Sequence, residues 1–173
     1  MLKLLNVLSP FIEDCYREFG VREYSRIARI TAPTASKLLK GFEVEGLLKK
    51  RLERRYLLFR ANRENNVLKD LSRIYWWQRL KKLIDYLDSE LHSPTIILFG
   101  SLAKLEAKKD SDIDLAVLTN INKSLNIKKY EKLFSREIQL FAFKSLSAIS
   151  NNELKNNVLN GYIIHGEFVE YVA

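Results

Sequence analysis

The chain has 173 residues, of which 47% are hydrophobic and 29% charged, a balance that excludes wholesale disorder and suits one medium domain or two small ones. Its one cysteine, Cys15, excludes an internal disulfide framework, and no Cys/His cluster has zinc-ligand spacing. The formal net charge of +8 is uneven: residues 1–66 hold 14 Lys/Arg against 8 Asp/Glu, and residues 67–173 hold 15 against 13.

A localised basic excess is the electrostatic footprint of a polyanion partner, and a merely solvated basic surface gives the same count. Met1 to Leu5 is apolar, but Glu13 and Asp14 follow without a small-residue cleavage site, so the segment reads as a helix start rather than a signal peptide. No apolar run approaches the roughly 20 residues of a membrane span. No membrane partner is expected, and a reducing, cytoplasmic location is the simplest expectation.

In chain order, Leu2, Leu5, Leu8, Phe11 and Ile12, followed by Tyr16 and Phe19, keep helical spacing up to Gly20. A second helix is expected over Arg22 to Ile30. Thr31 is a candidate N-cap for a third, with Pro33 in its first turn. There Ala35, Leu38, Leu39 and Phe42 form a buried stripe, leaving Thr34, Ser36, Lys37 and Lys40 on the outer face until Gly46. Two short strands, Leu47 to Leu52 and Tyr56 to Arg60, are expected around a turn at Glu53-Arg54-Arg55. Lys49, Lys50, Arg51, Arg54, Arg55, Arg60 and Arg63 make this hairpin basic. A helix with small polar outward residues can enter a major groove while such a hairpin lies along the phosphates.

The segment carrying Val21 to Ala28, Thr34 to Leu39 and Glu45-Gly46-Leu47-Leu48 resembles the winged helix-turn-helix domains of bacterial and archaeal regulators, over about residues 1–63. The resemblance implies DNA as partner, contacted by Thr34, Ser36, Lys37 and Lys40 on the helix and by Lys50, Arg51, Arg54 and Arg55 on the wing. Winged helices also serve as protein–protein modules, and that alternative stays open here.

Residues 64–92 read as a connector helix with Val67, Leu68, Leu71, Ile74, Tyr75, Leu80, Leu83, Ile84, Leu87 and Leu91 at helical spacing. Trp76 and Trp77 are expected to pack between domains or subunits rather than to stack on bases. Such a helix also offers a homodimer interface.

Thr95 to Phe99 is a β-branched-rich strand running into Gly100-Ser101. Asp112 to Leu118 is a second strand, and alternation puts Asp112 and Asp114 on one face. Adjacent carboxylates repel each other, and a divalent cation between them relieves the repulsion. All-oxygen ligands suit Mg²⁺ shared with phosphates. Gly100 lets backbone N–H groups approach a phosphate, and Ser101 adds a hydroxyl.

Gly-Ser, ten residues, then Asp-Ile-Asp is similar to the minimal nucleotidyltransferases of the DNA polymerase beta superfamily, and residues 95–118 carry the resemblance. Where members carry Arg-Gly after Gly-Ser, this chain has Lys104-Leu105. The resemblance implies that Asp112 and Asp114 hold Mg²⁺, and that Gly100, Ser101 and Lys104 bind a nucleoside triphosphate, expected to be ATP. It also implies a third carboxylate on a later strand, here Arg136 to Phe143, reached through a helix near Lys123 to Phe134. Glu137 is the acidic candidate, whereas Ile138-Gln139-Leu140 fits the apolar-acid-apolar pattern with an amide in the acid's place. The superfamily includes antitoxins that attach a nucleotide to a toxin tyrosine, so a protein acceptor is one expectation. Leu154 to Leu159 suggests a helix and Gly161 to His165 a strand; His165 reads as structural, and nothing singles out His92.

The expected fold class is α/β (α+β): a winged helix over 1–63, a connector helix over 64–92, and a mixed-sheet nucleotidyltransferase fold over 93–173. The expected function is Mg²⁺-dependent nucleotidyl transfer. The alternative is a DNA-binding regulator whose second domain senses a nucleotide or is inactive.

Overall fold

The computed structural model describes residues 3–168. Helices and mixed sheets alternate along the chain, and the contacts divide into two compact units. One comprises residues 1–75 with Leu105–Lys109, the other Trp76–Lys104 with 110–173. The boundary therefore falls inside the long helix, between Tyr75 and Trp76.

The first unit holds α1 (Lys3–Glu13), β1 (Phe19–Gly20), α2 (Val21–Ile27), α3 (Ala32–Val44), β2 (Leu48–Glu53) and β3 (Tyr56–Ala61), with the sheet ordered β1-β3-β2. α1 is shorter than its apolar spacing predicts. Pro10 lies within it and has no N–H to give to the carbonyl of Asn6. The Ser9 hydroxyl donates to that carbonyl instead, at 2.9 Å. The helix ends three residues later, and Phe19, expected on its face, pairs with Phe59 as an edge strand.

Phe19 still reaches the core, edge-on to Phe11 at 5.0 Å between centroids. Leu5, Leu8, Phe11, Ile12, Tyr24, Ala35, Leu39 and Phe59 are buried with it. The Tyr24 hydroxyl donates to the Val7 carbonyl at 2.7 Å, satisfying its polar end. α3 starts on Thr31, whose side chain accepts from the Thr34 N–H. α3 is followed by Gly46 at φ 74°, a left-handed residue suited to a helix exit.

α4 (Asn66–Leu91) spans the unit boundary. The second unit continues with β4 (Thr95–Phe99), α5 (Gly100–Ala103), β5 (Ile113–Leu118), α6 (Lys128–Phe134), β6 (Ile138–Phe143), a 3-10 turn at Leu146–Ala148, α7 (Asn152–Leu159) and β7 (Tyr162–His165). The sheet order is β6-β5-β4-β7, with β5-β6 parallel and the other pairs antiparallel. Ile97, Phe99 and Ala116 build a core with Ile149 and Val158. The alternating neighbours Ile96, Leu98, Leu115 and Val117 are buried as well, so β4 and the rest of β5 read as continuous apolar runs.

Two expected bounds move here. α6 begins at Lys128, not near Lys123, and β6 begins at Ile138, because Ser135 at φ 54° ends the helix and turns the chain first. Trp76 is buried in the second unit, with the Arg136 guanidinium 5.3 Å from its ring centre, whereas Trp77 is 41% exposed.

Candidate active site

The site lies in the second unit, where β4 gives way to α5. Antiparallel pairing sets Phe99 opposite Asp114, so Gly100 emerges beside that carboxylate. Gly100 has φ 69°, and a Cβ built on it would stand 2.1 Å from Asp114 Oδ2 and 3.0 Å from Cγ. Only glycine meets both demands, backbone conformation and space. Ser101 follows, half-buried, in the first turn of α5.

Parallel pairing across β5 and β6 sets Asp114 opposite Gln139. Gln139 Nε2 donates to Asp112 Oδ2 at 2.8 Å. Asp114 is half-buried, and its carboxyl is pushed up to about 6, first by burial and then by the charge of Asp112. A carboxylate pair under this strain gains from a hard cation, and one or two carboxylates with substrate phosphates are the usual protein share of a Mg²⁺ shell. The donor set thus fits Mg²⁺ joined to a polyphosphate.

Glu137 is exposed, outside the ladder, and engages Ile113 N–H through its backbone carbonyl at 2.9 Å. Among the described residues no group of three His, Cys, Asp or Glu side chains converges as a metal site. The structure therefore brings Asp112 and Asp114 together and leaves Glu137 out. The β6 residue that engages the pair is Gln139, through its bond to Asp112.

Lys104 is exposed at the end of α5, and its Nζ donates to Asn157 Oδ1 on α7 at 3.1 Å. Leu105, which stands where the resemblance has glycine, adopts φ 58° and is buried. A left-handed turn is thus made by a β-carbon-bearing residue, at a cost of about 1–2 kcal/mol. Two residues near the site had no motif to announce them. Arg136 donates from Nη1 to the Ser111 carbonyl at 2.5 Å, bracing the residue before Asp112. Asn157 holds Lys104. Their signals are purely tertiary. His165, on β7, sits opposite Ile96 near the far end of β4 and bonds Asp88 Oδ1 through Nε2 at 3.0 Å.

In the first unit, Thr34, Lys37 and Lys40 are exposed on α3 and Ser36 is half-buried. The Thr34 hydroxyl is paired with Thr31 at 2.8 Å. On the hairpin, Lys50 pairs with Glu43 at 3.1 Å, and Arg51 pairs with Glu18 at 2.5 Å and Glu53 at 2.7 Å. The Arg51 guanidinium holds the Glu18 carboxyl below its ordinary value. Arg54 and Arg55 form the two-residue turn, at φ 44° and 69°. Two consecutive left-handed residues make a type I′ geometry, in which Asn-Gly is the usual choice.

The family model described as Polymerase beta, Nucleotidyltransferase matches residues 81–167. That is half of the chain, and it includes β4, the Gly100-Ser101 turn, β5 and β6. No curated protein and no solved structure matches the chain.

Proposed function

The chain belongs to the polymerase beta nucleotidyltransferase family, and from that premise we propose that it transfers a nucleoside monophosphate from a triphosphate to an acceptor, dependent on Mg²⁺. The observation that carries the reading is the bare Gly100 backbone pressed against Asp114, with Asp112 near enough for its charge to act on that carboxyl. Nothing in folding alone asks for two repelling carboxylates beside a left-handed glycine.

Asp112 and Asp114 would hold the cation, which supplies charge stabilisation at the phosphate under attack. Gly100 keeps side-chain bulk away, so that main-chain N–H groups come within reach of the phosphates. The Ser101 hydroxyl donates to the same group. Lys104 contributes a point charge toward the terminal phosphates, steadied by Asn157. The acceptor oxygen bonds to the α-phosphorus as the bond to pyrophosphate breaks. ATP is the proposed triphosphate, and a protein hydroxyl is one candidate acceptor.

The first unit is proposed to be a winged helix-turn-helix domain that binds DNA. Its three helices followed by a hairpin support this, as do Lys37, Lys40, Arg54 and Arg55, which make no ion pair among the described residues. A homodimer through α4 and a cytoplasmic setting complete the proposal.

A second reading is a DNA-binding regulator whose nucleotidyltransferase domain senses a nucleotide. The hydrogen bond from Gln139 to Asp112 favours it, because an amide stands where a further acid would assist transfer. Calorimetric titration of each of the four nucleoside triphosphates, with and without Mg²⁺, tests the site common to both. Micromolar binding that needs Mg²⁺ and is lost in Asp114→Asn is expected. No binding by any of the four would refute both readings of this domain.

A further inference from the structure

We propose that Gln139 limits this site to a single divalent cation, by occupying one oxygen of Asp112 and adding no charge of its own. The inference rests on the cation–triphosphate site proposed above.

Two cations set about 3.5–4 Å apart form a clamp on the attacking and leaving oxygens. Holding them that close requires a carboxylate that bridges, one oxygen to each, and enough negative charge to offset their repulsion. Asp112 and Asp114 together offer four oxygens and two charges. Asp112 Oδ2 already accepts the Gln139 amide at 2.8 Å. The nearest acid in sequence, Glu137, precedes β6, stands outside the ladder and joins no convergent group of three among the described residues.

Gln139 is held in place by its backbone. Parallel pairing sets it beside Asp114, and Ile138 and Leu140 flank it on the opposite face of the strand. Its backbone is thus fixed beside the acidic pair, within reach of Asp112. A donor N–H against a carboxylate offsets part of its charge, as a second cation would, but it brings no Lewis acidity. The remaining donors match one Mg²⁺ that completes its octahedron from phosphate oxygens and water. Gln139 thus acts as a positioning residue for Asp112, and it fixes the cation count.

Mn²⁺ titration followed by electron paramagnetic resonance tests this on the full chain, with a non-hydrolysable α,β-methylene triphosphate present throughout. The parent is expected to bind one Mn²⁺ and to show a six-line spectrum without spin coupling. Gln139→Glu, which exchanges the amide for an acid of the same shape, is expected to bind two and show an exchange-coupled pair. Two coupled ions in the parent would overturn the proposal and leave the nucleotide site standing. No bound ion in the parent would sink the nucleotide site itself, and this inference with it. One ion in a folded Gln139→Glu would show that residue 139 does not set the number. If that variant fails to fold, Gln139→Asp decides: two coupled Mn²⁺ ions are expected, and a single uncoupled ion would overturn the proposal.

Discussion

Replacing Asp114 with asparagine is expected to stabilise the cation-free protein at neutral pH while abolishing binding at the proposed nucleotide site. Burial and the charge of Asp112 push the Asp114 carboxyl up to about 6, whereas in the unfolded chain it titrates at about 3.9. Between those values the folded state holds the proton more tightly than the unfolded state. Stability therefore falls as pH rises through this window, and above it the whole cost is present. The displacement corresponds to roughly 3 kcal/mol for a fully enclosed group. Asp114 is only half-buried, so solvent screening reduces this to ~1–1.5 kcal/mol. For a chain of this size that is about 2–6 °C in Tm. The assay is thermal unfolding of parent and Asp114→Asn in chelator, at pH 8 and pH 4.5. The variant should melt higher at pH 8, and the gap should narrow markedly at pH 4.5, inside the window. Added Mg²⁺ and triphosphate should raise the parent alone. A variant that melts below the parent at pH 8, or a gap indifferent to pH, would refute the argument that these carboxylates are held under electrostatic strain.

Gly100→Ala should weaken triphosphate binding at least tenfold by calorimetry, because its Cβ would lie 2.1 Å from Asp114 Oδ2 on a backbone at φ 69°; unchanged binding would show that this close approach is incidental. On the hairpin, Arg54→Ala with Arg55→Ala should lower DNA affinity and reduce the slope of log affinity against log salt by about two, because each arginine neutralises one phosphate. Arg55→Gly should instead relieve left-handed strain, raising stability by up to about 1 kcal/mol while still lowering that slope by about one.

The residues of the second unit are legible in sequence because their constraints are local. A β-branched run ending in Gly100-Ser101, and alternation that puts Asp112 and Asp114 on one face, are properties of a few consecutive positions. β4 has the bounds its sequence predicts, and β5 differs by one residue. What the sequence could not resolve depends on register. The flanking apolar residues point to Gln139 over Glu137, and the pairing of Asp114 with Gln139 sets that residue beside the acidic pair. The Lys104–Asn157 hydrogen bond joins positions 53 apart, and the Arg136–Ser111 hydrogen bond joins positions 25 apart. No periodicity reports such pairings. In the first unit the difficulty is of another kind. Tyr16 and Phe19 fit the helical stripe of α1, but Pro10 and the strand pairing of Phe19 outweigh spacing.

Charge counting misleads about the first unit in an instructive way. Its basic excess suggests a uniformly cationic hairpin, yet Lys49, Lys50 and Arg51 each meet a carboxylate, from Glu64, Glu43 and Glu18 in turn. These pairs are open to solvent, which screens them, and a phosphate can compete for them. Binding a polyanion there exchanges one anionic partner for another, so the net gain is small. Arg54 and Arg55 have no such competitor among the described residues, and neither do Lys37 and Lys40. Moreover, the hairpin keeps arginine at two left-handed positions where Asn-Gly would cost less. Strain at an exposed turn tip, where two arginines make no ion pair among the described residues, supports a phosphate-contacting role for the turn. On the proposed DNA-binding role, contacts should accordingly be concentrated in the turn and the third helix of this unit, and substitution of Lys50 or Arg51 should alter hairpin stability more than DNA affinity.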